Sequence, residues 1–508
     1  MEQIKRPFTQ RCLTKIETWG NALPHPTMLF IYLCVAVLLL SYLGDYFALA
    51  ATHPVSGKSV QVVNLLNAAG LAQILSKMVS NFTQFAPVGP VLVVMLGLGI
   101  AERSGLIQTA LKLLVLRAPA KLLTFIVVLA GVLSSIAVDS GYVVMIPLAG
   151  LIFLAAGRHP LAGTAACFAG VSGGFSANLL IGPVDAILGG ISTEAAHLLD
   201  PNYEVTAAAN YYFIIASTFL IAGLGTWVTE RYISPLLGDY KGAETNDLNT
   251  VLLPAERKGL WAANLAGLLI VIFVLSGLVP EHGFLRHPDT GGIIKSPFMS
   301  GLIALIAITA AIMGAIYGWV SGHFKSHVDI IESMEKTMAL MATYLVLMFF
   351  AAQFVNYFSW THLGLIVAIK GAELLKISGL SSIPLMLGFI VLSSIANLFI
   401  GSASAKWAII APVFIPMFML LGIAPEVVQA AYRVGDSSSN IITPLMPYFA
   451  LVFAFMKRYD EKAGVGTIMT LMLPYSVVFL VGWGLLLSLW LALGIPLGPG
   501  GSLFISIP

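Results

Sequence analysis

Residues 431–444 read AYRVGDSSSNIITP and lie between the apolar runs KWAIIAPVFIPMFMLLG and YFALVFAFM. At the centre of a bilayer each charge costs about 2.5–3.5 kcal/mol on insertion scales, so charges there must be paired, wet or functional. Arg433 offers a planar fork that matches a carboxylate. Asp436, three residues on, can face it across one helical turn, and its carboxyl suits a proton or Na⁺. Three further polar clusters interrupt apolar sequence: SSIAVDSGY with Asp139, GVSGGFSANLLIGPVDAI with Asn178 and Asp185, and SSIANLFIGSASAKW with Asn397, Ser404, Lys406 and Trp407. Asn178 and Asn440 can lend side-chain carbonyls to a cation, with Na⁺ as the metal they would hold. Trp407 sits among small residues rather than at a membrane boundary, which suits it to stack a planar substrate. Pro425 and Pro444 break helices and free carbonyls. Each feature also has a structural reading. An Arg/Asp pair can simply neutralise itself, and Ser and Gly let helices approach closely. The histidines show no metal-ligand spacing.

These clusters need elements that hold them away from water. The chain has 508 residues, of which 58% are hydrophobic and 10% charged. Its mean hydropathy is +0.92. Soluble domains carry about 25% charged residues, so lipid is the solvent and the chain is an all-α polytopic membrane protein. The net charge of +2 gives no reason to expect nucleic acid as a partner. Cys34 and Cys167 lie in apolar stretches, which argues against a disulfide framework. The polar N-terminal segment 1–26 lacks the pattern of a removable signal peptide.

A span needs about 20 mostly apolar residues. Full spans are predicted near 27–49, 85–101, 210–229, 259–279, 298–321, 337–357 and 468–494, with broken spans at 161–191 and 427–456. That makes nine transmembrane helices. Two re-entrant hairpins are expected at 121–157 and 382–421, because irregular backbone at membrane depth must face protein or a wet cavity. With the N-terminus cytoplasmic, 18 of the 26 Lys and Arg fall inside and six outside, as the positive-inside rule requires. The C-terminus is then periplasmic.

An internal repeat is readable. SSIA occurs at 134–137 and 393–396, and Pro147, Gly157, Pro160 and Gly170 recur as Pro412, Gly422, Pro425 and Gly435 at a constant offset. The threading makes the two copies inverted. Inverted repeats with broken helices characterise secondary transporters, whose half-helix ends and unwound carbonyls bind anions and cations. The expected organisation is scaffold helices over 27–120 and 201–357, a first transport repeat over 121–200, a second over 382–456, and a C-terminal helix and tail over 468–508. Only the second copy carries an Arg/Asp pair. The substrate is therefore expected near it, with Asp185 contributing from the other copy.

Several long motifs, in order, resemble the p-aminobenzoyl-glutamate transporter (AbgT) family: FAPVGPVLVVMLGLGIAERSGL, GRHPLAG, FSANLLIGPVDAIL, SSIANLFIGSASAKWAIIAPVFIPMFMLLG, RVGDSSSN and LPYSVVFLVGW. The resemblance implies a homodimer of nine-span subunits with two hairpins each, in a bacterial inner membrane, sharing a fold with sodium–dicarboxylate symporters. It implies cation-coupled (H⁺ or Na⁺) carriage of p-aminobenzoyl-glutamate or p-aminobenzoate, or export of sulfonamides, with no further cofactor. The residues it marks are Asp185, Asn397, Ser404, Trp407, Pro425, Arg433, Asp436 and Pro444. The tips read VDSG and GSASAK, unlike the Ser-Asn-Thr signatures of the dicarboxylate symporters. Competing classes are a related sodium-coupled carboxylate importer, a channel, and an intramembrane aspartyl protease. The last needs two aspartates sharing a proton and a Gly-x-Gly-Asp stretch, where this chain has Arg-Val-Gly-Asp.

Overall fold

The computed structural model describes residues 24–52, 57–136, 141–240, 242, 252–293, 296–443, 445–446, 448–461 and 465–505. Asp139, Pro444 and most of the segment 1–26 lie outside the described residues. The only two paired strands among the described residues form a short antiparallel hairpin, β1 (Ala50–Thr52) with β2 (Ser59–Gln61). The rest of the regular structure is helical. In chain order the helices used below are α1 (Pro26–Tyr46), α2 (Ala68–Thr83), α3 (Val88–Arg103), α4 (Leu106–Leu116), α5 (Leu123–Leu133), α6 (Ile146–Ala155), α7 (Pro160–Phe168), α8 (Pro183–Ala196), α9 (Tyr211–Val228), α10 (Pro254–Leu278), α11 (Leu302–Ser321), α12 (His327–Leu340), α13 (Ala342–Trp360), α14 (Leu363–Ile377), α15 (Ser382–Asn397), α16 (Ala403–Met419), α17 (Pro425–Asn440), α18 (Phe449–Lys457) and α19 (Val465–Leu493).

Among the described residues, seven helices are long and apolar enough to cross a membrane. An eighth counts if α4 and the helix Ala120–Ile136, bent by 115°, are one span. All seven predicted full spans overlap these helices. The region 85–101 proves to be part of a longer span, Ala68–Arg103. The broken spans fall outside this tally because each is divided, α7 from α8 around 169–182 and α17 from α18 around 441–448. The predicted hairpins are helical arms on either side of their tips, α5 with α6 and α15 with α16. Helices α4 and α14 have no counterpart in the sequence reading. Each is shorter than a span and carries lysine.

The chain forms two compact units. One comprises Met1–Val88, Leu188–Phe213 and Leu345–Pro508, and the other Gly89–Ile187 and Ile214–Tyr344. The first repeat falls largely in the second of these and the second repeat in the first.

Within each unit the repeat landmarks do the same local work. Gly157 and Gly422 end α6 and α16 with φ of +70° and +78°, a backbone that favours glycine. Three residues on, Pro160 and Pro425 each start a helix, where a missing N–H costs nothing. Gly170 and Gly435 then lie against the first arm of their own hairpin. A Cβ on Gly435 would meet the Ile390 carbonyl oxygen at 2.4 Å and Ser393 Cβ at 2.7 Å, and one on Gly170 would meet the Val128 carbonyl oxygen at 2.4 Å. Both approaches need the absence of a side chain.

The base of the first hairpin is fixed by polar contacts. Arg158 donates to Thr124 Oγ1 and Glu230 Oε1, each at 2.7 Å, and lies over the Phe153 ring.

Candidate functional site

Helix α17 is the most informative element. Its sequence, PEVVQAAYRVGDSSSN, is polar, yet all 16 residues are buried. The spans with lipid-like surfaces show the opposite pattern, apolar and partly exposed. Glu426, Gln429, Arg433, Asp436 and Asn440 recur at spacings of three and four, which lines them along one stripe of the helix. That stripe faces protein, so its groups must find partners inside the fold.

The centre of the arrangement is an ion pair. Lys406 Nζ lies 2.5 Å from Asp436 Oδ1, with the side chains 0% and 1% exposed. Lys406 occupies the first turn of α16, where the helix dipole opposes a cation. It is held there by Asp436, by Asn397 Oδ1, and more distantly by the Ile400 carbonyl at 3.5 Å. Asn397 ends the first arm of the hairpin and clamps the partner helix. Its Nδ2 donates to the Asp436 carbonyl at 2.8 Å, to Ser439 Oγ at 3.0 Å and to Asn440 Oδ1 at 2.8 Å. One amide thus ties the hairpin to both the acidic residue and the end of the helix. The three-residue spacing brings Arg433 to the same stripe as Asp436, and the structure adds the lysine of the hairpin as a partner of that carboxylate. Arg433 is itself 2% exposed on the same helix.

An aromatic wall adjoins the pair. Trp407 and Tyr432 stack with centroids 4.4 Å apart and an interplanar angle of 27°. The Tyr432 hydroxyl donates to the Ala403 carbonyl at 2.6 Å and lies 3.4 Å from Asp436 Oδ1. Trp407 is fully buried, and its Nε1 donates to Ser192 Oγ at 3.0 Å. One face of the indole is therefore covered by Tyr432.

A hydrogen-bonded chain runs on from Trp407. Ser192 Oγ donates to Gln429 Oε1 at 2.6 Å, and Gln429 Nε2 to Asn210 Oδ1 at 2.9 Å. Asn210 Nδ2 donates to the Glu426 carbonyl, and the Tyr203 hydroxyl to Glu426 Oε2 at 2.8 Å. Glu426 is 3% exposed. Sequence motifs alone do not single out Tyr203, Asn210, Glu426, Gln429 and Tyr432. For those on α17, the three-and-four spacing was the available signal; Tyr203 and Asn210 come from an intervening segment with no such pattern.

The other predicted residues divide. Ser404 lies 3.4 Å from Ser402, the N-cap of α16, at the hairpin tip. Pro425 starts α17. Ser438 and Ser439 donate to carbonyls four residues back, at 2.6 and 2.7 Å, so these hydroxyls serve close helix packing. Asn178 lies in the break between α7 and α8. Its Oδ1 accepts from the Leu179 and Leu180 amides at 2.8 and 3.1 Å, and its Nδ2 donates to Ser135 Oγ at 2.9 Å. Its side chain thus caps backbone that the break leaves unpaired. The Asn440 carbonyl accepts from Asn397. Asp185 belongs to the other unit, in the first turn of α8, where Oδ2 accepts from the Gly182 amide at 2.7 Å.

Comparison with known proteins bears on what such a site serves. The model of the AbgT transporter family matches residues 11–505. The p-aminobenzoyl-glutamate transport protein of Escherichia coli (strain K12) is 38% identical over 485 residues, covering 96% of this chain and 95% of that protein. The solved structure of the Alcanivorax borkumensis YdaH transporter matches with a TM-score of 0.90 and 52% identity, over 94% of this chain and all of that one. That of Neisseria gonorrhoeae MtrF, from a class of antimetabolite efflux pumps, matches with a TM-score of 0.92 and 46% identity, over 97% of this chain and all of that one. These relatives are transporters and not enzymes, which removes the protease reading of the buried aspartates. A buried ionic site on a broken helix, in a chain that matches these proteins over nearly its whole length, is that of a multi-pass membrane transporter: the chain belongs to the AbgT transporter family.

Proposed function

We propose that this chain is a proton-coupled secondary transporter of p-aminobenzoyl-type solutes in a bacterial inner membrane. The observation that carries this reading is the fully buried Lys406–Asp436 pair joining a hairpin tip to a broken helix. A proton arriving on Asp436 neutralises it and releases Lys406 from its counter-ion. Lys406 and Arg433 can then meet a substrate carboxylate, and loss of that carboxylate returns Lys406 to Asp436. One residue thereby links the proton to the solute, since the Asp436 carboxylate and the solute carboxylate compete for the same lysine. The Trp407–Tyr432 stack supplies rings of a size to accept an aromatic solute if they part.

The substrate class rests on the name of the Escherichia coli relative, and p-aminobenzoyl-glutamate combines the ring and carboxylates this chemistry would take. Export of sulfonamide-like antimetabolites is the second reading, favoured by the likeness to MtrF. Na⁺ is the less favoured coupling ion, because the Asn178 and Asn440 carbonyls are engaged. A homodimer with cytoplasmic N-termini and periplasmic C-termini is part of the proposal. The test is flux of labelled p-aminobenzoyl-glutamate, p-aminobenzoate and a sulfonamide in proteoliposomes under separately imposed H⁺ and Na⁺ gradients. Acceleration by the proton gradient, abolished in Asp436→Asn, is expected. Flux that follows only the Na⁺ gradient, or that ignores both, overturns proton coupling.

A further inference from the structure

A cavity of about 700 Å³ lies within the unit that contains the first repeat. It is walled by α3, α4, α10 and α11 and reaches the broken segment at Asn178–Ile181. Small-molecule sites span about 300–1,000 Å³, but this one lacks the polar anchors they carry. Its polar lining residues are Asn178, Asn264 and Thr309, and no charged side chain is among the described residues that line it. The Asn178 amide is already satisfied by backbone and Ser135. A carboxylated aromatic solute would lose its hydration here without compensation. The occupant must be apolar over most of its length.

Shape and charge narrow the choice. Lining residues on α10 run from Leu260 to Val274, a rise of about 21 Å at 1.5 Å per residue. One leaflet of a hydrocarbon core is about 15 Å deep, so the lining along α10 extends over at least the depth that a single acyl chain occupies. One end of it is basic. Gly259 of α10 faces Tyr317 of α11, and Gly314 of α11 faces Ala101 of α3. Arg103, Arg257 and Lys258 therefore lie at the same end of their helices, and all three are exposed. They lie two or three residues from the lining residues Ala101 and Leu260. Trp261 and Trp319, 71% and 52% exposed, mark that end as the membrane–water interface. Of the acidic neighbours, Glu102 and Glu256, the latter is engaged in capping α10 through the Leu253 amide.

We propose that this cavity is a binding site for one acyl chain of an anionic phospholipid, whose headgroup is held by Arg103, Arg257 and Lys258. Its far wall is the break in the first repeat, so the bound chain packs against the segment that divides α7 from α8. The site shares no residue with the Lys406–Asp436 centre and stands whatever solute the protein carries. Juxtamembrane basic residues attract anionic lipid in this way.

The full-length protein in mild detergent is offered equal amounts of phosphatidylglycerol and phosphatidylcholine and examined by native mass spectrometry. The wild type is expected to retain one phosphatidylglycerol in several-fold preference. Ala310→Trp, which fills the cavity, is expected to lose it, and Arg257→Gln with Lys258→Gln to lose the preference. Equal retention of the two lipids by the wild type, or retention untouched by Ala310→Trp, overturns the proposal. A measurement on the wild type alone guards against a misfolded variant: phosphatidylglycerol bearing a photoreactive group on its acyl chain should label peptides of α10 and α11. Labelling confined to other helices equally overturns it.

Discussion

Replacing Asp436 by Asn keeps the size of the side chain and removes only its charge. Lys406 Nζ then keeps two neutral oxygen acceptors, Asn397 Oδ1 and the Ile400 carbonyl, and loses its counter-ion. With both side chains essentially unexposed, water cannot take over. Removing one partner of a buried pair costs about 3–5 kcal/mol, whereas replacing both by apolar groups of similar volume is neutral or stabilising by about 1–4 kcal/mol. Asp436→Asn, Asp436→Leu and Lys406→Met should therefore each destabilise by about 3–5 kcal/mol, and Lys406→Met/Asp436→Leu, which closes the cycle with the latter two, should recover most of that loss. The assay is a double-mutant cycle by denaturant unfolding in detergent micelles. Single effects that add to the double within about 0.5 kcal/mol would mean the two residues are not coupled, and the central pair would then be absent in solution. Flux separates stability from function, since the double variant should fold and yet fail to couple proton movement to solute flux.

Other perturbations test the surroundings. Asn397→Ala removes three donated bonds and the lysine's second acceptor, so it should lower stability by about 1–3 kcal/mol and halt flux, read by thermal unfolding and proteoliposome transport. Gly435→Ala and Gly170→Ala each force a methyl against a backbone carbonyl of the neighbouring arm, and each should cost about 1–3 kcal/mol by overpacking, read in thermal melts. Trp407→Phe preserves the ring against Tyr432 but drops the bond to Ser192, a loss of about 1 kcal/mol, while Trp407→Ala should cost about 3–5 kcal/mol, measured the same way. Outside the spans, the Lys325 and Ser326 amides hold the Asp329 carboxyl below the usual carboxylate range. The stabilisation this gives to the start of α12 is present above the unfolded value near pH 3.9 and disappears as pH falls through the lower folded value. Asp329→Asn should hasten exchange of those two amides at neutral pH, by hydrogen–deuterium exchange.

The architecture was legible where one physical signal dominates. Runs of about 20 apolar residues have a single reading in lipid, and all seven predicted full spans overlap long helices. The hairpins and broken spans were legible because polar tips and Gly/Pro pairs recur at fixed spacing, and Gly157 with Pro160 does locally what Gly422 does with Pro425. Partners at the site were less legible. Spacing along a helix suggests what neighbours Asp436 within one turn, but not that Lys406, on another helix, comes within 2.5 Å. Trp407 was read by its residue type and its distance from any boundary, and its stacking partner Tyr432 belongs to a different helix. Asn178 shows the same limit: an amide in a broken span suits either a cation or the backbone the break leaves unpaired, and only geometry assigns it to Leu179 and Leu180.

The most direct measurement is solute flux in proteoliposomes at fixed membrane potential, with an imposed pH difference, comparing wild type with Asp436→Asn. The expected result is labelled p-aminobenzoyl-glutamate movement that rises with the pH difference in the wild type and becomes insensitive to it in the variant. Flux in Asp436→Asn that responds to the pH difference as the wild type does would contradict the role of the Lys406–Asp436 pair as the element joining proton to solute.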